Sequence, residues 1–169
     1  MSAVRELFNV RTPPDALAVL LERLTPGSAP RERVATQDAL DRVLTEEPRA
    51  PGELPTFPRS TMDGFAVRAA DTFGATEGLP AYLDVVGEVF MGRAPQVSLA
   101  AGQCARIATG GMLPDGADAV VMVEQTQEVG PRTIEALRPV APGENVVQPG
   151  EDVRPGDPIL PAGHGLRPQ

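Results

Sequence analysis

Three short segments of this chain hold carboxylates and hydroxyls in bends rich in glycine and proline. In the first, Asp63 follows Ser60 and Thr61, and Gly64 comes directly after it. A turn alone explains the Asp-Gly pair, because aspartate accepts local backbone N–H groups and glycine supplies positive φ. Three polar side chains nevertheless crowd one bend, which is more than a turn needs. Asp63 is therefore a candidate catalytic acid, and the turn interpretation stays open.

The second segment is Thr109-Gly110-Gly111, directly after an apolar run. Its glycines allow successive backbone N–H groups to converge as an anion-binding nest, and the threonine hydroxyl adds a donor. The segment has neither the lysine nor the spacing of a P-loop, so it does not indicate a nucleotide site. A turn that ends a strand is the alternative interpretation.

The third segment is the acidic pair Glu151-Asp152, which lies between two Pro-Gly turns. Acids beside turns are usually just solvated. They gain a function only if the fold brings them beside Asp63, where mutual repulsion would raise one pKa or attract a cation.

The scarcity of cysteine and histidine excludes several kinds of site. Cys104 is the only cysteine and His164 the only histidine, so the chain has no intrachain disulfide and no cysteine-based zinc site. With one histidine and one cysteine, the chain has almost none of the residues that a Ser-His-Asp or Cys-His catalytic arrangement requires. Cys104 is expected to be a small core residue in a strand, and His164 to lie in a surface turn.

The net charge disfavours a nucleic-acid-binding protein, and the apolar pattern of the chain disfavours a secreted or membrane protein. A formal net charge of -8 disfavours nucleic-acid binding, which needs a basic patch. Met1–Val10 contains no apolar signal-peptide region, and the longest apolar runs are too short for a bilayer. We therefore expect a cytoplasmic protein that does not bind a membrane.

The chain contains 19 prolines and 17 glycines, a density that favours short elements and β-strands over long helices. We predict one helix at Pro13–Leu24, capped by Thr12 and ending near Thr25-Pro26-Gly27, and a shorter one at Thr36–Leu44. A short strand is expected at Glu32–Ala35.

From Gly64 onward the pattern is that of β-structure. Strands are predicted from Phe65, at Ala81–Val89, Gln103–Ile107 and Ala119–Val129, and in Thr133–Val140 after the Gly130-Pro131 turn. The predicted fold is mainly β with a few short helices, of α+β character, in two lobes of short coiled β-sheets. Residues 1–53 and 141–169 form a discontinuous outer lobe, and residues 54–140 form an inserted β-lobe.

Taken together and in this order, three stretches resemble the N-terminal region of the molybdopterin molybdenumtransferase family, which includes MoeA and the E domain of gephyrin. They are Arg59–Val67, Ile107–Thr126 and Gly143–Leu166. The similarity runs in order from Thr12 to Pro168, and the three motifs together make it specific, although each alone is weak.

The resemblance implies an enzyme that inserts molybdate into molybdopterin, starting from adenylylated molybdopterin, with Mg²⁺ as cofactor. It also implies an elongated homodimer whose cleft lies between the pterin-binding α/β domain of one subunit and the N-terminal β lobes of its partner. By the same resemblance, Asp63, Thr109 and Asp152 are the catalytic residues. Ser60 and Gly110 are candidates for cofactor binding, and Asp63 and Asp152 are candidate metal ligands.

The chain departs from the family pattern in two ways. Phe65 stands where many members carry tyrosine, and the pterin-binding α/β domain is absent. We therefore expect a truncated chain that is inactive alone and that contributes cleft residues and dimer contacts. The alternative is a non-catalytic β-rich dimerisation or scaffold module. Convergence of Asp63, Thr109 and Asp152 on one open face would favour the catalytic hypothesis, and their scattering over separate turns would favour the scaffold.

Overall fold

The computed structural model describes residues 11–24 and 29–169 of the chain. Contacts divide the chain into two compact units, Met1–Thr45 with Gly165–Gln169 and Glu46–His164. All of the described strands belong to the second unit. In the part that the structure describes, no helix is long and apolar enough to cross a membrane.

The contact boundaries fall closer to the chain ends than the predicted lobe boundaries at residues 54 and 140. The inserted β-lobe over residues 54–140 therefore stays a prediction. Two expectations, the lack of a targeting signal in Met1–Val10 and the helix end at Thr25-Pro26-Gly27, concern segments outside the described residues.

Helix α1 spans Pro13–Arg23, which confirms the predicted helix. The hydroxyl oxygen of Thr12 accepts the N–H of Asp15 at 3.4 Å, and Pro13 and Pro14 occupy the first turn, where their missing N–H groups cost nothing. No residue of this helix is buried, and the leucines of its apolar face are 54–60% exposed: Leu17, Leu20, Leu21 and Leu24.

The predicted helix Thr36–Leu44 is wrong beyond its first turn. Only a 3₁₀ turn forms there, over Thr36–Asp38. Asp41 then has a φ of 60°, which an α-helix cannot contain. Its N–H donates to the carbonyl of Leu166 at 3.1 Å, and the N–H of Leu166 donates to the carbonyl of Arg42 at 2.8 Å. Pairing with a distant segment overrides the helical spacing of the apolar residues.

The second unit is mainly β, as predicted. Its strands are β1 (Arg59–Ser60), β2 (Gly64–Val67), β3 (Ala81–Val89), β4 (Gln103–Ile107), β5 (Ala119–Met122), β6 (Thr126–Gly130), β7 (Thr133–Ala136) and β8 (Val146–Val147). Strands β2 to β7 form one sheet in the order β5-β2-β4-β3-β7-β6, in which the β3–β4 pair alone is parallel. Strands β1 and β8 pair separately. The strand expected at Glu32–Ala35 does not form.

The strand predicted over Ala119–Val129 is in fact two strands, β5 and β6, separated by a 3₁₀ turn at Val123–Gln125. These two strands are the opposite edges of the sheet. The chain from Met122 to Thr126 reaches at most about 14 Å, whereas the edges of a flat six-stranded sheet lie about 24 Å apart. The sheet must therefore curl until its edges approach, which agrees with the predicted coiled sheets.

Strand β2 lies inside the core and begins directly after Asp63. Its side chains enter two apolar clusters, with Phe65 in one and Ala66 in the other, and all four of its residues are buried. At Gly64 the neighbouring strand comes so close that a Cβ would lie 2.0 Å from the carbonyl oxygen of Val121. The backbone on this side of Asp63 is therefore tightly held.

Candidate functional site

Asp63 occupies a bend between β1 and β2 whose end is attached to the sheet. Its carbonyl accepts the N–H of Val123 at 3.0 Å. The next residue, Gly64, is paired with Ile107 of β4 and with Met122 of β5. The antiparallel pairing of β2 with β4 brings Asp63, just before β2, beside the residues that follow β4.

The carboxylate of Asp63 is held by Thr109, two residues after β4. Its Oδ1 accepts the backbone N–H of Thr109 at 2.7 Å and the hydroxyl of Thr109 at 2.8 Å. The backbone bond first, and the hydroxyl bond second, hold the pKa of Asp63 below its ordinary value of 3.8, against a small opposing effect of desolvation. The side chain is exposed, and no described residue hydrogen-bonds its Oδ2. Asp63 is thus an anion with one oxygen held and the other open.

The glycine segment is not an open anion nest, and it agrees with the alternative interpretation of a turn that ends a strand. The N–H of Thr109 is donated to Asp63, that of Gly110 to the carbonyl of Ser60 at 2.8 Å, and that of Gly111 to the carbonyl of Ala108 at 2.9 Å. Gly110 has a φ of 82°, a backbone conformation that glycine adopts without strain, so a glycine at this position allows the turn to form. With all three N–H groups engaged, the loop has no backbone donor left for an anion.

Ser60 is buried and its hydroxyl serves the bend itself. Its Oγ donates to the carbonyl of Met62 at 2.5 Å and accepts the N–H of the same residue at 3.2 Å. Contact with a cofactor would require this hydroxyl to leave both bonds. Cofactor binding by Ser60 and Gly110 stays a prediction.

Asp152 is joined to the segment that precedes Asp63. Its Oδ2 lies 3.4 Å from a guanidinium nitrogen of Arg59 in β1, with both side chains about half exposed. The neighbouring Glu151 is used differently, since its carboxylate accepts the N–H of Gln148 at 2.9 Å and closes a turn. Two of the three predicted catalytic residues are therefore in direct contact, and the third is linked to the same bend through Arg59.

The acids near this bend do not form a complete metal site by themselves. No three His, Cys, Asp or Glu side chains gather around one point in residues 11–24 and 29–169. Mg²⁺, however, is commonly held by one or two carboxylates together with substrate phosphates and waters. The open Oδ2 of Asp63 fits that kind of binding.

A cavity of about 160 Å³ adjoins Gly110, at a position that no sequence motif indicated. Its lining residues are Phe57, Gly92, Arg93, Ala94, Gly110 and Met112. Arg93 forms no ion pair within the described part of the chain, in contrast to Arg59. The cavity therefore has one cationic side chain that can bind an anion. Arg93 is a single arginine in the loop after β3, and no motif around it in the sequence indicated a binding site.

Cys104 and His164 lie where the sequence indicated. Cys104 is fully buried in β4, and burial, followed by the nearby charge of Asp84, raises the pKa of its thiol to about 12, so it is no nucleophile. His164 is exposed in a turn in which its N–H donates to the carbonyl of Pro161 at 3.2 Å.

Comparison with known proteins gives a consistent result over nearly the whole chain. A family model described as "MoeA N-terminal region (domain I and II)" matches residues 11–169. The molybdopterin molybdenumtransferase of Bacillus subtilis is 39% identical over 140 residues, which are 81% of this chain and 33% of that protein. A putative molybdopterin biosynthesis protein of Methanocaldococcus jannaschii is 35% identical over 99% of this chain and 40% of its own length.

The solved structures agree with the sequence relatives. The crystal structure of the molybdopterin biosynthesis moeA protein from Pyrococcus horikoshii OT3 superposes with a TM-score of 0.77 at 40% identity, covering 81% of this chain and 36% of that one. The chain thus spans about a third to two fifths of the length of these relatives.

Proposed function

The chain belongs to the family of MoeA N-terminal regions, and from this membership we propose that it works in molybdenum cofactor biosynthesis. In this proposal it is the N-terminal region of a molybdopterin molybdenumtransferase, which inserts molybdate into adenylylated molybdopterin. The region contributes cleft residues and dimer contacts, and the pterin site lies elsewhere in the enzyme.

The structural observation that supports a catalytic contribution of this region is the contact between Asp63 and Thr109. A turn aspartate would bond to the backbone of its own turn. Asp63 instead accepts both bonds from a residue of another loop, and no described residue hydrogen-bonds its second oxygen. Thr109 therefore orients the Asp63 carboxylate, whose pKa it lowers, toward whatever binds at this surface.

A divalent cation is the ligand that this carboxylate fits best. Bound Mg²⁺ supplies positive charge that offsets the charge of substrate phosphates. Asp63 would hold such an ion through Oδ2, and Asp152, once released from its exposed pair with Arg59, would be a second ligand. Exposed pairs of this kind are weak, so the release of Asp152 has a small free-energy cost.

The cavity beside Gly110 is suited to the anionic part of the substrates. Arg93 is a planar cation that binds oxyanions through two parallel hydrogen bonds. The backbone of the Thr109 loop has no free donor, so Arg93 is the group of this cavity that would hold a phosphate or molybdate oxygen.

Several finer points belong to the same proposal. The enzyme is a cytoplasmic homodimer that binds neither nucleic acid nor membrane, and its cleft is completed by a partner subunit. Because the chain spans about a third to two fifths of its relatives, it is expected to be inactive alone.

A non-catalytic dimerisation module is the competing function, and the exposed leucine face of α1 favours it. A module of this kind would associate through apolar surface and would not need the charge of Asp63. The two functions therefore differ in whether the Asp63 carboxylate matters.

A chimera separates the two functions. Residues 11–169 replace the matching region of the Bacillus subtilis relative, and cofactor formation is measured from adenylylated molybdopterin, molybdate and Mg²⁺. We expect an active chimera and an inactive isolated chain. A chimera that melts cooperatively and dimerises, yet forms no cofactor, would contradict the proposal.

A further inference from the structure

Asn145 joins the bend that carries Asp63 to strand β5. Its carbonyl accepts the N–H of Thr61 at 3.0 Å, and its side-chain amide donates to the carbonyl of Val120 at 2.8 Å. Thr61 is two residues before Asp63. One residue thus bonds to the bend with its backbone and to the edge of the sheet with its side chain.

The turn that contains Asn145 is anchored to the same residue of β5 a second time. The carbonyl of Glu144 accepts the N–H of Val120 at 3.1 Å. Strand β5 is an edge of the sheet, where outward backbone groups have no neighbouring strand. Glu144 and Asn145 satisfy both of these groups on Val120, so the turn is held firmly against β5.

The backbone of Asn145 is left-handed, with a φ of 60°. Asp41 is the only other non-glycine residue with positive φ in the described part of the chain. Asparagine tolerates this conformation better than most residues with a Cβ. Such a conformation persists where surrounding contacts impose it, and residues of this kind are concentrated at functional sites.

We propose that Asn145 is a positioning residue that holds the Asp63 bend in the shape that directs its carboxylate onto Thr109. The inference rests on the proposed function, in which Asp63 acts. The bend is attached at its start through the backbone of Ser60 and at its end through the carbonyl of Asp63. The hydrogen bond from the N–H of Thr61 to the carbonyl of Asn145 attaches the part of the bend that lies between these two ends.

Three variants separate the parts of this arrangement. Asn145→Gly keeps the left-handed backbone and the backbone carbonyl but removes the side-chain amide that donates to Val120. Asn145→Asp keeps the size but directs a carboxylate oxygen at the carbonyl of Val120. Glu144→Ala is the matched control, because it removes a side-chain bond to Ala141 from the same turn without touching the bend.

Two amide signals of the 169-residue chain, measured at one neutral pH, report on the positioning. In Asn145→Asp, hydrogen exchange at Thr61 is expected to become about fivefold faster, as the loss of one hydrogen bond implies. The amide proton of Thr109 is expected to move upfield, because its bond to Asp63 lengthens. Asn145→Gly should show the same changes more weakly, and Glu144→Ala should leave both signals unchanged. Unchanged signals in a folded Asn145→Asp variant would overturn the proposal.

The proposal remains testable if Asn145→Asp does not fold. In the unaltered chain, a scalar coupling across the hydrogen bond is expected between the amide nitrogen of Thr61 and the carbonyl carbon of Asn145. Failure to detect this coupling, in a spectrum that shows the couplings of the β2–β4 pairs, would refute the attachment itself.

Activity of the chimera distinguishes this inference from the proposed function. If both hold, Asn145→Asp lowers kcat about tenfold or more, because a displaced catalytic group is costly, while KM changes little. Altered Thr61 and Thr109 signals with full activity would support the positioning and contradict the catalytic role of Asp63. Unaltered signals would contradict the positioning at any level of activity.

Discussion

Asp63 and Thr109 lie 46 positions apart in the chain, and both polar hydrogens of Thr109 are donated to one oxygen of Asp63. The contact depends on the register of two strands, because β2 begins directly after Asp63 and β4 ends two residues before Thr109. The strand pairing of the curled sheet therefore builds this site. We expect a change in the β2–β4 register to break the contact between Asp63 and Thr109.

The first prediction concerns the ionisation of Asp63. Because its folded-state pKa is lowered, the charged carboxylate stabilises the fold above the ordinary pKa, and this contribution is lost as pH falls through the lowered value. Thr109→Val should raise the pKa only part of the way back, since the backbone bond, the larger cause, remains. Carbon NMR of the Asp63 carboxyl group during an acid titration measures both values.

Thr76→Val is the control for this titration. The hydroxyl oxygen of Thr76 accepts the N–H of Leu79 in a separate turn, so its loss should not change the titration of Asp63. An identical midpoint in Thr109→Val and the unaltered chain would mean that the hydroxyl does not bond to Asp63 in solution.

The second prediction concerns the close approach at Gly64. Gly64→Ala would bring a Cβ to 2.0 Å from the carbonyl oxygen of Val121, so the strands must separate. We expect a loss of about 1–3 kcal/mol in the free energy of unfolding, as for an overpacked core. Urea denaturation measures it beside Gly78→Ala, whose added Cβ meets nothing within 4 Å. Equal stability of the two variants would show that β2 is not held as closely as described.

The third prediction concerns Arg93 and its cavity. In the chimera, Arg93→Gln should raise KM for adenylylated molybdopterin or for molybdate about tenfold, because a charged hydrogen bond to an oxyanion is lost. The substrate whose KM rises identifies the oxyanion. Arg132→Gln, in the exposed turn between β6 and β7, should leave both values unchanged. If the two variants behave alike, the cavity does not bind a substrate anion.

Local features of the fold were predictable from the sequence. Helix α1 has a cap, two prolines in its first turn and four regularly spaced leucines, and each of these signals acts within a few residues. The bounds of β3 and β4 match the prediction because each apolar segment lies between glycine or proline residues that mark turns. In each case the chain segment itself contains the information.

The errors arose where distant segments decide the conformation. The helix expected after Thr36 ends early because Asp41 and Arg42 pair with Leu166. The long strand expected from Ala119 is divided because the sheet curls and the chain must pass from one edge to the other.

The same limit applies to the candidate site. Sequence motifs identified Asp63 and Thr109 separately, but their contact needs the β2–β4 register. Arg93 and Asn145 carried no local signal. Arg93 matters because it lines a cavity, and Asn145 because it bonds to both Thr61 and Val120, which are distant in the chain.

We predict that the charge of Asp63 serves the proposed reaction far more than it serves the fold. Asp63→Asn keeps an oxygen that accepts both bonds from Thr109, so its melting temperature should stay within a few degrees of the unaltered protein. Asp71→Asn is a matched control, since Asp71 accepts the N–H of Gly102 at 2.9 Å away from the site, and this variant should stay active.

The most direct measurement is the rate of cofactor formation by the Asp63→Asn chimera beside its melting curve. We predict a rate about 10²–10⁴-fold lower, the range typical of a positioned acid or base, with an almost unchanged melting temperature. A near-normal rate at an unchanged melting temperature would contradict the account. It would make Asp63 a turn residue and the dimerisation module the better description of this chain.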